Sequence, residues 1–134
     1  GNQEVFAAGL RELATHGADE GFVVHCAAGK DRTGLFCALT LALAGVERDA
    51  IYDDYLMTNE AVDYDALVPM VQKRLKDTYG RDIPADAMRL FLGVEPDYLD
   101  EAFDEIGSAE AYVSGVLGLS DEEIAAIRAN LIAR

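Results

Sequence analysis

The chain is organised around ten residues at positions 25–34, His-Cys-Ala-Ala-Gly-Lys-Asp-Arg-Thr-Gly, which we name the Cys26 loop. An apolar run typical of a buried strand, residues 21–25, leads into this loop, and an apolar helix pattern at 35–44 follows it. Such a loop opens onto a helix N-terminus, where free backbone N–H groups and the helix dipole favour an anion. The sequence therefore predicts a strand–loop–helix unit that holds an oxyanion.

Two side chains of the Cys26 loop have complementary chemistry. Cys26 lies where the field of the helix N-terminus favours the thiolate, which is the nucleophilic form of the thiol. Arg32 has a planar guanidinium that can donate to two oxygens of one phosphoryl group. The backbone N–H groups between them supply further donors, and Gly29 permits the backbone angles of a tight turn. We expect the phosphate to be bound by Ala27, Ala28, Gly29, Lys30, Asp31 and Arg32.

The Cys26 loop has the form HCxxGxxR(S/T)G of the cysteine-dependent phosphatases, and its Lys-Asp pair resembles the loop of bacterial tyrosine/lipid phosphatases. Weaker matches follow in the order 54–59, 96–99 and 112–120. The resemblance covers nearly all of the chain and implies the C-terminal half of that family's domain, with residues 1–134 forming a single, incomplete phosphatase domain. It implies an α/β fold, tyrosine-phosphatase-like, in which helices flank a central parallel sheet. This chain would supply mainly the strand before the loop and the C-terminal helices.

The resemblance also implies a reaction and roles for the residues beside the nucleophile. Cys26 would form a cysteinyl-phosphate that water hydrolyses, with no metal and no cofactor. The substrate would be phosphotyrosine, and also phosphoinositide or phosphoserine/threonine. Thr33 can hydrogen-bond the Cys26 sulfur and can also cap the helix. His25 would orient the loop by hydrogen bonding, with its ring directed away from the phosphate.

Asp31 and Lys30 each have two interpretations. Asp31 is a third catalytic candidate, because a carboxyl group beside a phosphate is favoured in its protonated form and can protonate the leaving oxygen. It could equally brace the loop through an ion pair with Lys30 or Arg32. Lys30 could contact additional phosphates of an inositol ring, as the resemblance suggests, or could be a solvated charge.

The region 21–25 is the only convincing strand, and a strand cannot satisfy its backbone hydrogen bonds alone. We therefore expect a missing N-terminal segment of the same domain, another copy of the chain, or a strand that the pattern does not reveal. This leaves an alternative function open. The chain could be an inactive fragment, or a module that binds a phosphorylated ligand without turnover. Turnover of a phosphotyrosine analogue, with the Cys26→Ser variant as the control, would distinguish an enzyme from a binding module.

Composition limits the partners and the compartment. The 134 residues carry 11 Lys and Arg against 25 Asp and Glu, a formal net charge of −14. Such a surface repels nucleic acid and anionic membranes, so we expect neither as a partner. The resemblance implies a phosphorylated protein or a phosphoinositide as the partner. A thiolate nucleophile requires a reducing environment, which indicates the cytoplasm, although secretion stays open if an N-terminal segment is missing. Cys37 is expected in the core, with a redox partner of Cys26 as the alternative.

The remaining pattern predicts helices throughout. Apolar periodicity and turn residues place them at about 4–14, 49–59, 67–79, 84–92, 96–106 and 108–117. Gly80 is expected to end one helix, and Pro69 is tolerated only in a first turn. Ser120 followed by Glu123 predicts a capping box at the start of the last helix.

Overall fold

In the computed structural model, residues 2–17 and 20–132 are described, and within them the chain forms eight α-helices joined by short connections. The helices follow the apolar periodicity of the sequence. The ends of several of them lie at a glycine, a proline or a capping side chain. The helices are α1 Asn2–Thr15, α2 Asp31–Leu43, α3 Arg48–Ala61, α4 Tyr64–Tyr79, α5 Ala85–Leu92, α6 Pro96–Ile106, α7 Ala109–Gly115 and α8 Asp121–Leu131.

Helix α2 lies at the centre of the molecule, as its apolar composition on all sides predicts. It packs against α3, α7 and α8 and contributes to two apolar cores. The larger core joins α1, α2, α7 and α8 through residues that include Phe6, Leu10, Phe36, Leu39, Leu43, Val113, Ile124 and Ile127. The smaller core joins α2, α3 and α6 through Ala38, Ile51, Tyr55, Val94, Leu99 and Phe103.

The helix boundaries confirm most of the local predictions. Ser120 and Glu123 form the capping box, with Glu123 N–H donating to Ser120 Oγ at 3.2 Å and Ser120 N–H donating to Glu123 Oε2 at 2.8 Å. Gly80 ends α4 in the left-handed conformation, with φ of 65°. The expectation for Pro69 is wrong, because it lies in the second turn of α4. Its missing N–H would have bonded the carbonyl of Asp65, an exposed residue near the helix start.

The predicted α/β fold is wrong for the part of the chain that the structure describes, which contains no strand and no sheet. Residues 21–26 belong to no helix or strand, and their side chains alternate between exposed and partly buried, as in an extended segment. Their N–H and C=O groups make no hydrogen bond with other described backbone groups. Val23, expected inside a central strand, is 86% exposed. Extended backbone becomes a strand only beside another extended segment, and the described neighbours are helices. The Val23-Val24 pair indicates β propensity, but the described part of the chain provides no neighbouring strand to pair with it.

We predict that Leu39→Ala strongly destabilises the fold. Leu39 is completely buried on α2 within the larger core. Its truncation removes apolar burial and leaves a cavity, which costs about 2–5 kcal/mol. Urea unfolding followed by circular dichroism measures the loss. Leu90→Ala is the matched control, because Leu90 is 58% exposed on α5 and should change the free energy of unfolding by less than about 0.5 kcal/mol. Equal losses for the two variants would contradict the central position of α2.

Candidate active site

The Cys26 loop connects the extended segment to the first turn of α2. The backbone bends between Ala27 and Lys30, and α2 begins at Asp31. Gly29 has φ of 69°, a conformation that residues with a Cβ atom rarely adopt. Gly34 N–H donates to the Lys30 carbonyl at 2.8 Å and closes the first turn. The loop therefore presents its amides at a helix N-terminus, as the sequence predicts.

Tyr55 on α3 holds the first turn of α2 through a close contact with Gly34. A Cβ atom at position 34 would lie 2.7 Å from the Tyr55 ring, so only glycine permits this approach. The ring is buried in the smaller core, and burial, with Asp31 and Tyr98 nearby, raises the pKa of Tyr55 to about 12. The hydroxyl therefore stays protonated at neutral pH. The sequence analysis missed this contact, because nothing local relates positions 34 and 55.

The groups around Cys26 favour the thiolate form of its side chain. The hydroxyl and the N–H of Thr33 lower the pKa of Cys26 to about 6, and the N–H groups of Ala28 and Gly29 contribute less. The Thr33 hydroxyl oxygen is buried and lacks a hydrogen-bond partner of regular geometry in the described part of the chain. Its proton can therefore turn toward the sulfur of Cys26. Thr33 lies where the sequence predicts a supporting residue.

Arg32 is exposed and forms no hydrogen bond or ion pair within residues 2–17 and 20–132. It borders a cavity of about 180 Å³ that also contains Cys26 and Thr33. It also borders a second cavity of about 230 Å³, lined by Asp31, Tyr55 and Tyr98 among others. A guanidinium without a protein partner, at the mouth of the cavity that holds the thiol, can bind an oxyanion there.

Helix α1 forms one wall of the cavity around Cys26, a role that the sequence did not indicate. Val5, Phe6 and Gly9 line it together with Phe36 of α2. The Phe6 and Phe36 rings meet edge to face, with centroids 5.6 Å apart. These residues form an ordinary amphipathic pattern, so no local signal distinguishes a cavity wall from core. A larger cavity of about 690 Å³ lies between α4 and α5 and is lined by no residue of the Cys26 loop.

Lys30 and Asp31 are paired with each other. Lys30 Nζ donates to Asp31 Oδ1 and to the Gly93 carbonyl, both at 3.0 Å, and lies 5.8 Å from the centroid of the Phe91 ring. The Lys30 side chain is only 13% exposed, so it is not a solvated charge. Asp31 is exposed and forms the brace with Lys30 rather than with Arg32.

His25 and Cys37 complete the set of candidate residues. His25 is exposed, and its Nδ1 lies 3.3 Å from the carbonyl oxygen of Cys26, within the backbone of the loop. Burial, with Asp54 nearby, raises the pKa of the Cys37 thiol, which is free and half-buried. No group of three or more His, Cys, Asp or Glu side chains in the described ranges is arranged to hold a metal ion.

Loop amides, a helix N-terminus, a thiol of lowered pKa and the Arg32 guanidinium thus lie together, and groups of these kinds can bind an oxyanion. Residues 1–133 match the model of the tyrosine phosphatase family, and the chain belongs to that family. It is 33% identical over 119 residues to the triple specificity protein phosphatase PtpB of Mycobacterium tuberculosis, covering 82% of this chain and 43% of the relative.

Two further relatives have related names. A putative tyrosine-protein phosphatase of Cupriavidus necator is 30% identical over 135 residues, covering 98% of this chain and 45% of the relative. A tyrosine-protein phosphatase of Nostoc commune is 29% identical over 119 residues, covering 84% and 40%. The chain therefore spans less than half the length of the curated relatives it matches.

We predict that Cys26 is alkylated by iodoacetamide with a pH midpoint of about 6, because only the thiolate reacts. Its folded pKa is lowered, so the reactive form is lost as pH falls through this value. Thr33→Val removes the hydroxyl and should move the midpoint upward, whereas Thr33→Ser should keep it. Mass spectrometry separates this reaction from that at Cys37, whose raised pKa makes it slower. A midpoint shared by wild type and Thr33→Val would contradict the role of the hydroxyl.

Proposed function

We propose that the protein is a phosphomonoester hydrolase of the protein-tyrosine-phosphatase class that reacts through Cys26. The supporting observation is the Cys26 thiol, with pKa of about 6, in one cavity with Arg32, which has no partner among the described residues. In the first step Sγ forms a bond to phosphorus as the ester P–O bond breaks, and the leaving oxygen takes up a proton from Asp31 or from water. In the second, water attacks phosphorus, the S–P bond breaks, and inorganic phosphate and the thiolate are released.

Within this reaction the loop amides and Arg32 bind the non-bridging oxygens in both steps. The amides are fixed at the start of α2, so they need little reorganisation as charge develops. The Thr33 proton stabilises the sulfur as a leaving group in the second step. His25 orients the loop through the Cys26 carbonyl. No step requires a metal ion or a cofactor.

The substrate that we propose is phosphotyrosine, with phosphoserine/threonine and phosphoinositide as further classes. The name of the mycobacterial relative, a triple specificity phosphatase, supports a broad range. The contacts of Lys30 limit the phosphoinositide proposal. Its ammonium group is engaged by Gly93 and Asp31, so it contacts an additional phosphate only after exchanging one of these partners.

We also propose that an N-terminal segment of the same domain covers the extended segment 21–26. The exposed Val23 and the length of the curated relatives support this.

A reactive thiolate favours a reducing compartment, and we propose the cytoplasm. No helix in the described part of the chain is both long and apolar enough to cross a bilayer.

We predict that Cys26→Ser abolishes turnover of para-nitrophenyl phosphate, lowering kcat by at least about a thousandfold. Arg32→Lys keeps the charge but loses the planar fork, and we expect a loss of about a hundredfold. Release of para-nitrophenol measures both, with Arg74→Lys, an exposed α4 residue, as the matched control. Intact mass shows whether a second polypeptide accompanies the chain. Phosphate binding without any turnover by wild type would favour the alternative, a phospho-ligand binding module.

A comparison of leaving groups separates the two roles of Asp31. A general acid matters for a poor leaving group such as the alcohol of phosphoserine, and little for para-nitrophenolate. If Asp31 is the acid, Asp31→Asn should lower kcat for an alkyl phosphate by about a hundredfold and leave para-nitrophenyl phosphate nearly unchanged. Equal losses on both substrates would assign Asp31 to the ion pair with Lys30 alone.

A further inference from the structure

Helices α4 and α5 form a hairpin, residues 64–92, that packs mainly on itself. Gln72 Nε2 in the middle of α4 donates to the carbonyl of Ile83, in the connection before α5, at 2.6 Å. The Arg89–Asp65 ion pair, at 3.0 Å, joins the two helices themselves. The chain enters the hairpin after α3 and leaves it at Gly93 and Val94. Both junctions lie beside one side chain, Asn59, in the last turn of α3.

The Asn59 amide uses both of its ends. Its Nδ2 donates to the Val94 carbonyl at 2.8 Å, and its Oδ1 accepts from Val94 N–H at 2.9 Å. Tyr64 at the start of α4 donates its hydroxyl to the same Oδ1 at 3.1 Å. Val94 is buried, so an unmade bond at either group would be costly. Only an amide of this length supplies the donor and the acceptor together.

Gly93 links this arrangement to the Cys26 loop. A Cβ atom at position 93 would lie 2.6 Å from the Tyr64 hydroxyl and 2.8 Å from Asn59 Oδ1, so the backbone is tightly enclosed. The Gly93 carbonyl accepts from Lys30 Nζ at 3.0 Å. Lys30 is itself part of the Cys26 loop and precedes the first residue of α2. A single chain of contacts thus runs from Asn59 through Gly93 to the loop.

We propose that Asn59 is a positioning residue for the phosphatase reaction, acting through the Gly93 carbonyl and Lys30 on the Cys26 loop. The proposal rests on the function proposed above. Asn59 fixes the peptide that binds the Lys30 ammonium, and Lys30 fixes the loop backbone that carries the oxyanion donors. Loop amides that are held in place contribute most to catalysis, because a small displacement weakens every hydrogen bond they make in the transition state.

The experiment is a double-mutant cycle with Asn59→Asp, Lys30→Met and the double variant. Asn59→Asp keeps the size of the side chain and removes the donor to Val94, and Lys30→Met removes the ammonium. We expect each single variant to lower kcat for para-nitrophenyl phosphate by about tenfold with little change in KM. If Asn59 acts through Lys30, the double variant should be no slower than Lys30→Met. Multiplying losses, about a hundredfold in the double variant, would overturn the proposal.

Asn130→Asp is the matched control. Asn130 on α8 donates its amide to the carbonyls of Leu13 and Ala14 at 3.0 and 3.2 Å, away from the Cys26 loop. The Asn130→Asp variant loses the same kind of amide donor as Asn59→Asp. It should therefore lower the free energy of unfolding without changing kcat. Tyr64→Phe removes only the hydroxyl that supports Asn59 and is the milder variant if Asn59→Asp does not fold. It should lower kcat in the wild-type background and not in the Lys30→Met background.

A readout without turnover separates this proposal from the proposed function. The pH midpoint of Cys26 alkylation is sensitive to the position of the loop amides, because the N–H groups of Ala28 and Gly29 help to lower the pKa of the thiol. We expect Asn59→Asp to raise this midpoint in the wild-type background and not in the Lys30→Met background. If wild type lacks turnover and the midpoints still follow this pattern, the proposed function fails and the positioning role stands. If Asn59→Asp leaves both kcat and the midpoint unchanged, the positioning role is wrong.

Discussion

The burial of α2 between two apolar cores is the constraint on which the rest of the structure depends. Phe36, Leu39 and Leu43 fix one face of this helix, and Ala38 fixes another. The oxyanion site that we propose lies at the N-terminus of the same helix, so its location is set by side-chain packing one to three turns away. The loop residues themselves are mostly exposed and could not hold the geometry alone. The chemistry of the site therefore relies on apolar contacts that touch no ligand.

Electrostatics at the site is local and differs in sign from the protein as a whole. The net charge of −14 opposes the approach of a dianion, but salt screens exposed charges beyond a Debye length of about 10 Å. At short range the amides of Ala28 and Gly29, the Thr33 hydroxyl and Arg32 dominate. Lys30 is close to these groups, yet its ammonium is used within the protein. A net negative charge is thus compatible with the phosphate site that we propose at the Cys26 loop.

The sequence predicted the helices well because their signals are local. The apolar periodicity located α2, and the capping box at Ser120 and the left-handed Gly80 located helix ends to within a residue. Pro69 shows the limit of such rules, since α4 continues through its second turn although one backbone N–H is missing there. The extended segment 21–26 was misjudged because β propensity says nothing about whether a neighbouring strand exists.

The candidate site could be proposed from the sequence where its residues are contiguous, and its other contacts could not be foreseen where the residues lie far apart. Cys26, Arg32 and Thr33 lie within eight residues, and their spacing carries the chemistry. The contact of Gly34 with Tyr55 and the path from Asn59 to Lys30 join residues far apart in sequence. They depend on how helices pack, which no single window of sequence encodes. The same holds for α1, whose side chains line the cavity but follow an ordinary amphipathic pattern.

The hairpin of α4 and α5 has a consequence for how this fold can diversify. Its entry and exit meet at Asn59, and Phe91 on α5 also contacts Lys30 of the Cys26 loop. The entropy of closing such a segment depends weakly on its length, about 0.6 kcal/mol for each doubling. Insertions, deletions or a different pair of helices can therefore be accommodated there while α2 stays in place. The hairpin that carries Phe91 is therefore the part of the protein that evolution can replace as one unit.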